Sequence, residues 1–205
     1  MHALDLLGFG ASAAPDRVYS LALYAALIAE YAAMLDRPPL LVGHSMGGKI
    51  AAATAVHHPR CFSGYLLINP GGFSWMAPWL PPIASQRWTS TLLQQSWVQQ
   101  HVLPHLPMGR FLAQPSTIEH ALRLQDSHRA LDLDATGLRS HLRTIRRPVT
   151  VLWGLDDPLL PSSTLDRLRD DVPQARIERL PHAGHLPMWD RPDAVADSVV
   201  RLVRE

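Results

Sequence analysis

The chain has 205 residues, 47% of them hydrophobic, enough to bury one sizeable core. Its 19 Lys+Arg against 18 Asp+Glu leave a formal charge of +1, and no basic stripe is interleaved with aromatics, which argues against nucleic acid as a partner. A single cysteine, Cys61, cannot form an intrachain disulfide, and Met1-His2-Ala3-Leu4-Asp5 lacks the basic start of a secretory leader, so a cytoplasmic protein is expected.

In chain order, Asp5-Leu6-Leu7-Gly8-Phe9-Gly10-Ala11-Ser12 comes first, with its two glycines spaced as in a turn. Residues 21–35 form the longest apolar stretch, but Glu30 interrupts it and Ser20 and Asp36 bound it, which speaks against a membrane span. Tyr24, Leu27, Ile28, Tyr31 and Leu35 recur at helical spacing, and alanines fill the remainder, predicting a helix lying close on a sheet and stopped by Pro38-Pro39. Leu40-Leu41-Val42 reads as a strand that runs into Gly43-His44-Ser45-Met46-Gly47-Gly48 and then an alanine-rich helix.

That arrangement reads as a nucleophile elbow. In G-x-S-x-G the serine sits on a strained strand-to-helix turn, with Gly43 and Gly47 expected to relieve the crowding around it. The turn would raise the Ser45 hydroxyl above the sheet and aim the Met46 amide at a developing oxyanion. His44 is expected to pack or hydrogen-bond beneath the elbow, and Cys61 to fall between this helix and a strand.

Residues 71–146 break the alternation of strands and helices with clustered prolines, with Trp75, Trp79, Trp88 and Trp97, and with a helical patch over 89–102. Past it, Pro148-Val149-Thr150-Val151-Leu152-Trp153 reads as a buried parallel strand emptying into Gly154-Leu155-Asp156-Asp157-Pro158. A serine-capped helix with Leu165 and Leu168 inward is expected over 162–172, then a half-exposed strand over 175–180. That strand feeds Pro181-His182-Ala183-Gly184-His185-Leu186-Pro187. A closing helix has Pro192 in its first turn, Val195, Val199 and Leu202 on one face, and Asp197 four residues before Arg201 on the other.

A serine hydroxyl needs an imidazole to take its proton and a carboxylate to orient that imidazole, and both types stand at strand ends. In this order the motifs resemble the α/β-hydrolase family throughout the chain: the D-x-x-G-x-G-x-S loop, the elbow, the acid loop from Gly154 to Pro161, and the Ala183-Gly184-His185 loop. The resemblance implies an α/β fold with a mostly parallel sheet flanked by helices, a core made of 1–70 and 147–205, and a helical cap at 71–146. It also implies Ser45 as nucleophile, Asp157 as acid, His185 as base and the Met46 amide as an oxyanion donor. Asp156 and His182 are the competing neighbours. Only Asp157 lies three residues after Gly154, and only His185 directly follows the glycine of its loop.

The expected reaction is hydrolysis of a carboxylic ester, thioester or related acyl bond of a small apolar substrate, with no cofactor. Eleven histidines lack the accompanying ligand pattern of a metal site. A C–C bond hydrolase or acyltransferase would use the same residues, and a non-catalytic binding module would retain them by descent. Serine as nucleophile argues against the family branches that form an alkyl ester on aspartate.

Members of the family carry three strands before the first of these motifs, and a His-Gly loop among them supplies a second oxyanion donor. Here the chain begins inside the expected fourth strand, with about 70 to 90 residues of the usual fold lacking. It is therefore expected to be a fragment whose strand before Ser45 presents an apolar edge open to self-association. A missing half supplied by another chain, or residues 2–7 pairing directly with 40–42, are the other two readings.

Overall fold

The computed structural model describes residues 1–73, 95–102, 124, 127 and 129–204. Trp75, Trp79 and Trp88 lie outside these residues. The chain divides into two compact units, one of residues 1–19 and 78–129, the other of 20–77 and 130–205. Residues 130–146, grouped by sequence with the inserted segment, fall in the second unit.

The second unit holds an α/β sheet. Four parallel strands, β1 (Leu40–His44), β2 (Gly64–Ile68), β3 (Val149–Gly154) and β4 (Arg176–Leu180), lie in the order β1-β2-β3-β4. Leu41 pairs with Tyr65, Leu67 with Val151 and Leu152 with Glu178, so every carboxyl end reaches the same edge. β2 and β3 are buried along their whole length, as continuous apolar runs in a parallel sheet require. Each large side chain buried there, Trp153, Leu66 or Val151 for example, contributes about 1.5–3 kcal/mol.

Helix α1 (Leu21–Ala33) begins at Ser20, whose hydroxyl accepts from the Leu23 amide at 3.1 Å. It ends before Pro38-Pro39, and Leu27 stays partly exposed while Ala25, Ala29 and Ala32 are buried with Tyr24 and Ile28. The expected seat directly on the strands gives way to packing on α2 (Met46–His57), which itself lies on β1 and β2. Alanine faces explain this, because Ala25, Ala29 and Ala32 of α1 and Ala51 to Ala53 and Ala55 of α2 let two helices approach closely.

Still in the second unit, the 3-10 helix Leu138–Thr144 packs on α2 and on α4 (Thr164–Asp171). The guanidinium of Arg139 ties this layer together by reaching Asp134, Asp171 and the Gly72 carbonyl. α4 buries Leu165 and Leu168 as expected, but Ser163 makes no side-chain cap; the Thr164 amide turns to the Pro161 carbonyl instead. The short α5 (Pro187–Asp190) leads into α6 (Pro192–Arg204). Val195, Val199 and Leu202 pack on Leu66, Ile68, Leu152 and Leu180. Arg201 does not use the Asp197 spacing: it reaches across to Glu178 on β4 at 2.6 and 2.7 Å, because that half-buried carboxylate also needs the Ser198 hydroxyl and a counter-charge.

In the first unit, the described residues 1–19 form no strand, and residues 2–7 pair with nothing in the sheet. Positive φ at Gly8 and Gly10 curls this segment, and Asp5 closes it, accepting from the Ala11 amide through its carboxylate and from the Ser12 hydroxyl through its carbonyl. The same unit contains α3 (Ser96–His101), shorter than the expected helical patch, where Trp97 stacks on His101 at 5.7 Å between ring centroids.

Among the described residues no helix is long and apolar enough to cross a membrane. Within β2, Tyr65 is fully buried and its hydroxyl has no hydrogen-bond partner among the described residues. Burial, followed by the neighbouring Cys61, pushes that phenol up from 10.0 to about 12. A raised folded-state pKa means stability intact below about pH 10 and lost as pH rises toward 12. Tyr65→Phe is expected to melt at or slightly above the parent temperature at neutral pH and to lose less stability between pH 10 and 12, as read by thermal melts across that range.

Candidate active site

All four strands deliver loops to one edge of the sheet, and the polar residues collect there, at the ends of β1, β2, β3 and β4. Ser45 follows β1 with φ 52° and ψ −114°, a conformation that costs a non-glycine residue on the order of 1–3 kcal/mol. Backbone bonds hold it there. Its amide donates to the Ile68 carbonyl at 3.0 Å, and its carbonyl accepts from Gly71 at 2.9 Å and Lys49 at 3.2 Å.

The glycines around Ser45 differ in role from the sequence expectation. A Cβ on Gly43 would fall 2.3 Å from the Gly47 carbonyl oxygen, and one on Gly48 would fall 2.8 Å from Pro70. On Gly47 it would meet nothing within 4 Å among the described residues. Among the described residues crowding is therefore relieved by Gly43, where strand meets helix, and by Gly48, against Pro70, and not by Gly47.

Asp157 lies beyond β3 with no exposed side-chain surface. Its Oδ1 accepts from the amides of Leu159 at 2.8 Å and Leu160 at 3.0 Å. Its Oδ2 accepts from His185 Nδ1 at 2.7 Å and from Asn69 Nδ2 at 2.6 Å. Burial works against the charge, but the bond to His185 and its charge, with the Leu160 and Leu159 amides, outweigh it and hold the carboxyl below its ordinary value. That charge stabilises the fold above the ordinary carboxylate pKa, and the contribution is lost as pH falls through the depressed one.

With Nδ1–H committed to Asp157, His185 presents Nε2 as an acceptor to the Ser45 hydroxyl at 2.9 Å. Hydroxyl, imidazole and carboxylate thus form one hydrogen-bonded series, the arrangement in which an imidazole can take the hydroxyl proton while the carboxylate compensates the charge. Met46, first residue of α2, has an amide with no intrahelical acceptor, as helix geometry dictates. The two competitors stand apart: Asp156 is exposed and its amide bonds the Ala183 carbonyl, and His182 is an exposed turn residue with φ 58°.

Two loops must interlock for this to work. A Cβ on Gly154 would fall 2.3 Å from the Gly184 carbonyl oxygen, so the acid loop lies directly against the histidine loop. Asp190 also takes the Gly184 amide at 2.7 Å.

Sequence reasoning missed Asn69. Fully buried with φ 38°, it accepts from the Gly154 amide at 3.0 Å and donates to Asp157, bridging the ends of β2 and β3. The available signal was a polar residue directly after the apolar run Tyr65-Leu66-Leu67-Ile68, at the carboxyl edge of a parallel strand. His44 is partly buried, and its Nε2–H donates to the His185 carbonyl at 2.6 Å. Burial, with His185 beside it, pushes its imidazole down to about 4, against the opposing pull of that bond and of Asp157.

A family model described as the alpha/beta hydrolase family matches residues 1–198. Over 178 residues the chain is 26% identical to the 2-hydroxy-6-oxo-6-phenylhexa-2,4-dienoate hydrolase of Comamonas testosteroni, covering 80% of this chain and 62% of that protein. It is also 26% identical, over 220 residues, to the pimeloyl-(acyl-carrier protein) methyl ester esterase of Nitrosomonas europaea, covering 94% and 81% of the two. Among solved structures, a bacterial membrane phospholipase A superposes with a TM-score of 0.73 at 26% identity, over 97% of this chain and 68% of that one.

Gly43→Ala is expected to destabilise the protein by several kcal/mol, whereas Gly47→Ala, at a helical position uncrowded among the described residues, should hold or raise the melting temperature. Denaturant melts of the pair separate the two roles. Asn69→Ala, which strands the buried Gly154 amide and removes a donor from Asp157, should cost about 2–3 kcal/mol in the same assay.

Proposed function

Because the chain belongs to the alpha/beta hydrolase family, we propose that it is a serine hydrolase acting on a carboxylic ester, thioester or related acyl bond of a small apolar substrate. The observation that carries this reading is the series from Ser45 Oγ through His185 to Asp157, at 2.9 and 2.7 Å.

In the proposed reaction Ser45 Oγ adds to the carbonyl carbon as its proton passes to His185 Nε2. The new oxyanion faces the Met46 amide, a donor of the kind worth on the order of 10²–10³ in rate. Collapse of the tetrahedral intermediate breaks the bond to the leaving group, which takes the proton from His185 and departs, leaving an acyl ester on Ser45. Water then attacks that ester with His185 as base, releasing the acid and restoring the hydroxyl. Throughout, Asp157 stays ionised and compensates the imidazolium. The esterase name of one relative and the phospholipase name of the structural neighbour support an acyl substrate.

C–C bond hydrolysis of a diketone-type substrate is the second reading, favoured by the likeness to the Comamonas testosteroni hydrolase. The same series of groups serves it, and only the leaving group differs.

A fluorophosphonate probe tests the common core. The purified chain is expected to be labelled at Ser45, Ser45→Ala to be unlabelled, and His185→Ala to be labelled at least about 10³-fold more slowly. An unlabelled parent, or equal labelling of Ser45→Ala, would sink the proposal. Turnover of p-nitrophenyl acyl esters against a vinylogous diketone then separates the two readings.

A further inference from the structure

We propose that His44 is a positioning residue for His185, holding the backbone of the proposed general base through the hydrogen bond from its Nε2–H to the His185 carbonyl. The inference rests on the reading of His185 as base. It adds a role for a residue inside the elbow whose side chain bonds the His185 carbonyl.

The loop that carries His185 has little regular structure of its own: His182 sits at φ 58°, and α5 begins only at Pro187. Such a segment keeps an imidazole on target only if its backbone is tied at several points. Ala183 is held through its carbonyl by the Asp156 amide at 3.0 Å, and Gly184 through its amide by Asp190 at 2.7 Å. Arg191 also donates to the Pro181 carbonyl at 3.1 Å, and the tie at the base residue itself comes from His44 at 2.6 Å, with the two rings 4.9 Å apart at 57°.

A carbonyl oxygen can only accept, so the contact fixes the His44 tautomer with its proton on Nε2. Burial keeps the ring neutral, which matters because a cation at that distance from His185 would oppose its protonation during the reaction. His44 is also the last residue of β1 and the neighbour of Ser45. One dipeptide therefore places both the nucleophile and, through the His185 carbonyl, the base. A displacement of that loop by about 1 Å would cost on the order of 10²-fold in rate.

Glutamine and methionine have nearly the same shape, but only glutamine can donate to the carbonyl. H44M is expected to slow fluorophosphonate labelling of Ser45 and lower kcat on an acyl ester by about 10- to 100-fold with KM little changed. H44Q should recover to within a few-fold of the parent, and the two should melt alike. Equal rates for H44M and H44Q, or H44M as fast as the parent, would overturn the proposal. If H44M does not fold, H44F takes its place as the variant without a donor.

Imidazole ¹⁵N spectra give a readout that does not need turnover. The parent and H44Q should show His185 as a single tautomer protonated on Nδ1, and H44M a broadened or mixed population. An unchanged His185 spectrum in H44M overturns the proposal, whereas an unlabelled parent with the expected spectra overturns the hydrolase reading alone.

Discussion

A carboxylate without exposed surface must have its lone pairs filled, and Asp157 fills them from three directions. The Leu159 and Leu160 amides come from its own loop, Asn69 from the end of β2 and His185 from the loop after β4. The arrangement cannot be built one loop at a time. If β2 or β4 shifted along β3 by a residue, the carboxylate would be left short of partners at a cost of several kcal/mol, so the buried charge also specifies the register of the sheet around it.

That demand falls on β2 in particular. It pairs with β1 and β3, its Ile68 carbonyl takes the Ser45 amide, and Asn69, the residue after it, orients Asp157. The strain at Ser45 is affordable only because β2 is wholly buried and cannot give way. A half-exposed strand such as β4 in that position would relax toward the serine rather than hold it.

The strand-end residues that the structure brings together were legible in the sequence because their motifs constrain both residue type and spacing at the turn. Gly43, Ser45, Asp157 and His185 belong to that class, and so does the burial of β3. Residues whose partners lie far along the chain were not legible. Asn69 bonds Asp157 across 88 positions and His44 bonds His185 across 141, and a local pattern can mark a polar residue at a strand end but not its distant partner. Gly47 misled for a related reason: the motif marks it, but the close approaches among the described residues are made at Gly43 and Gly48. Arg201 was assigned by helical spacing, yet the half-buried Glu178 on the neighbouring strand is the stronger attractor. The first residues suggested a strand by analogy, but Gly8 and Gly10 turn the chain at positive φ and Asp5 closes that turn on Ala11 and Ser12.

The bonds that hold the site are of two kinds, and the difference bears on what the site tolerates. Asn69 and the two loop amides act on an ion, so their strength rises in the buried setting and they fix a charge. His44 acts as a neutral donor on a neutral carbonyl, so it fixes a position without adding charge beside the ring proposed as the general base. Exchanging the two would fail. A charged clamp at His44 would resist the imidazolium, and a weak neutral clamp at Asp157 would let burial protonate the carboxylate and remove the charge that favours it. Stability at this edge of the sheet and the proposed chemistry therefore depend on the same separation: charge held at Asp157, neutrality held at His44.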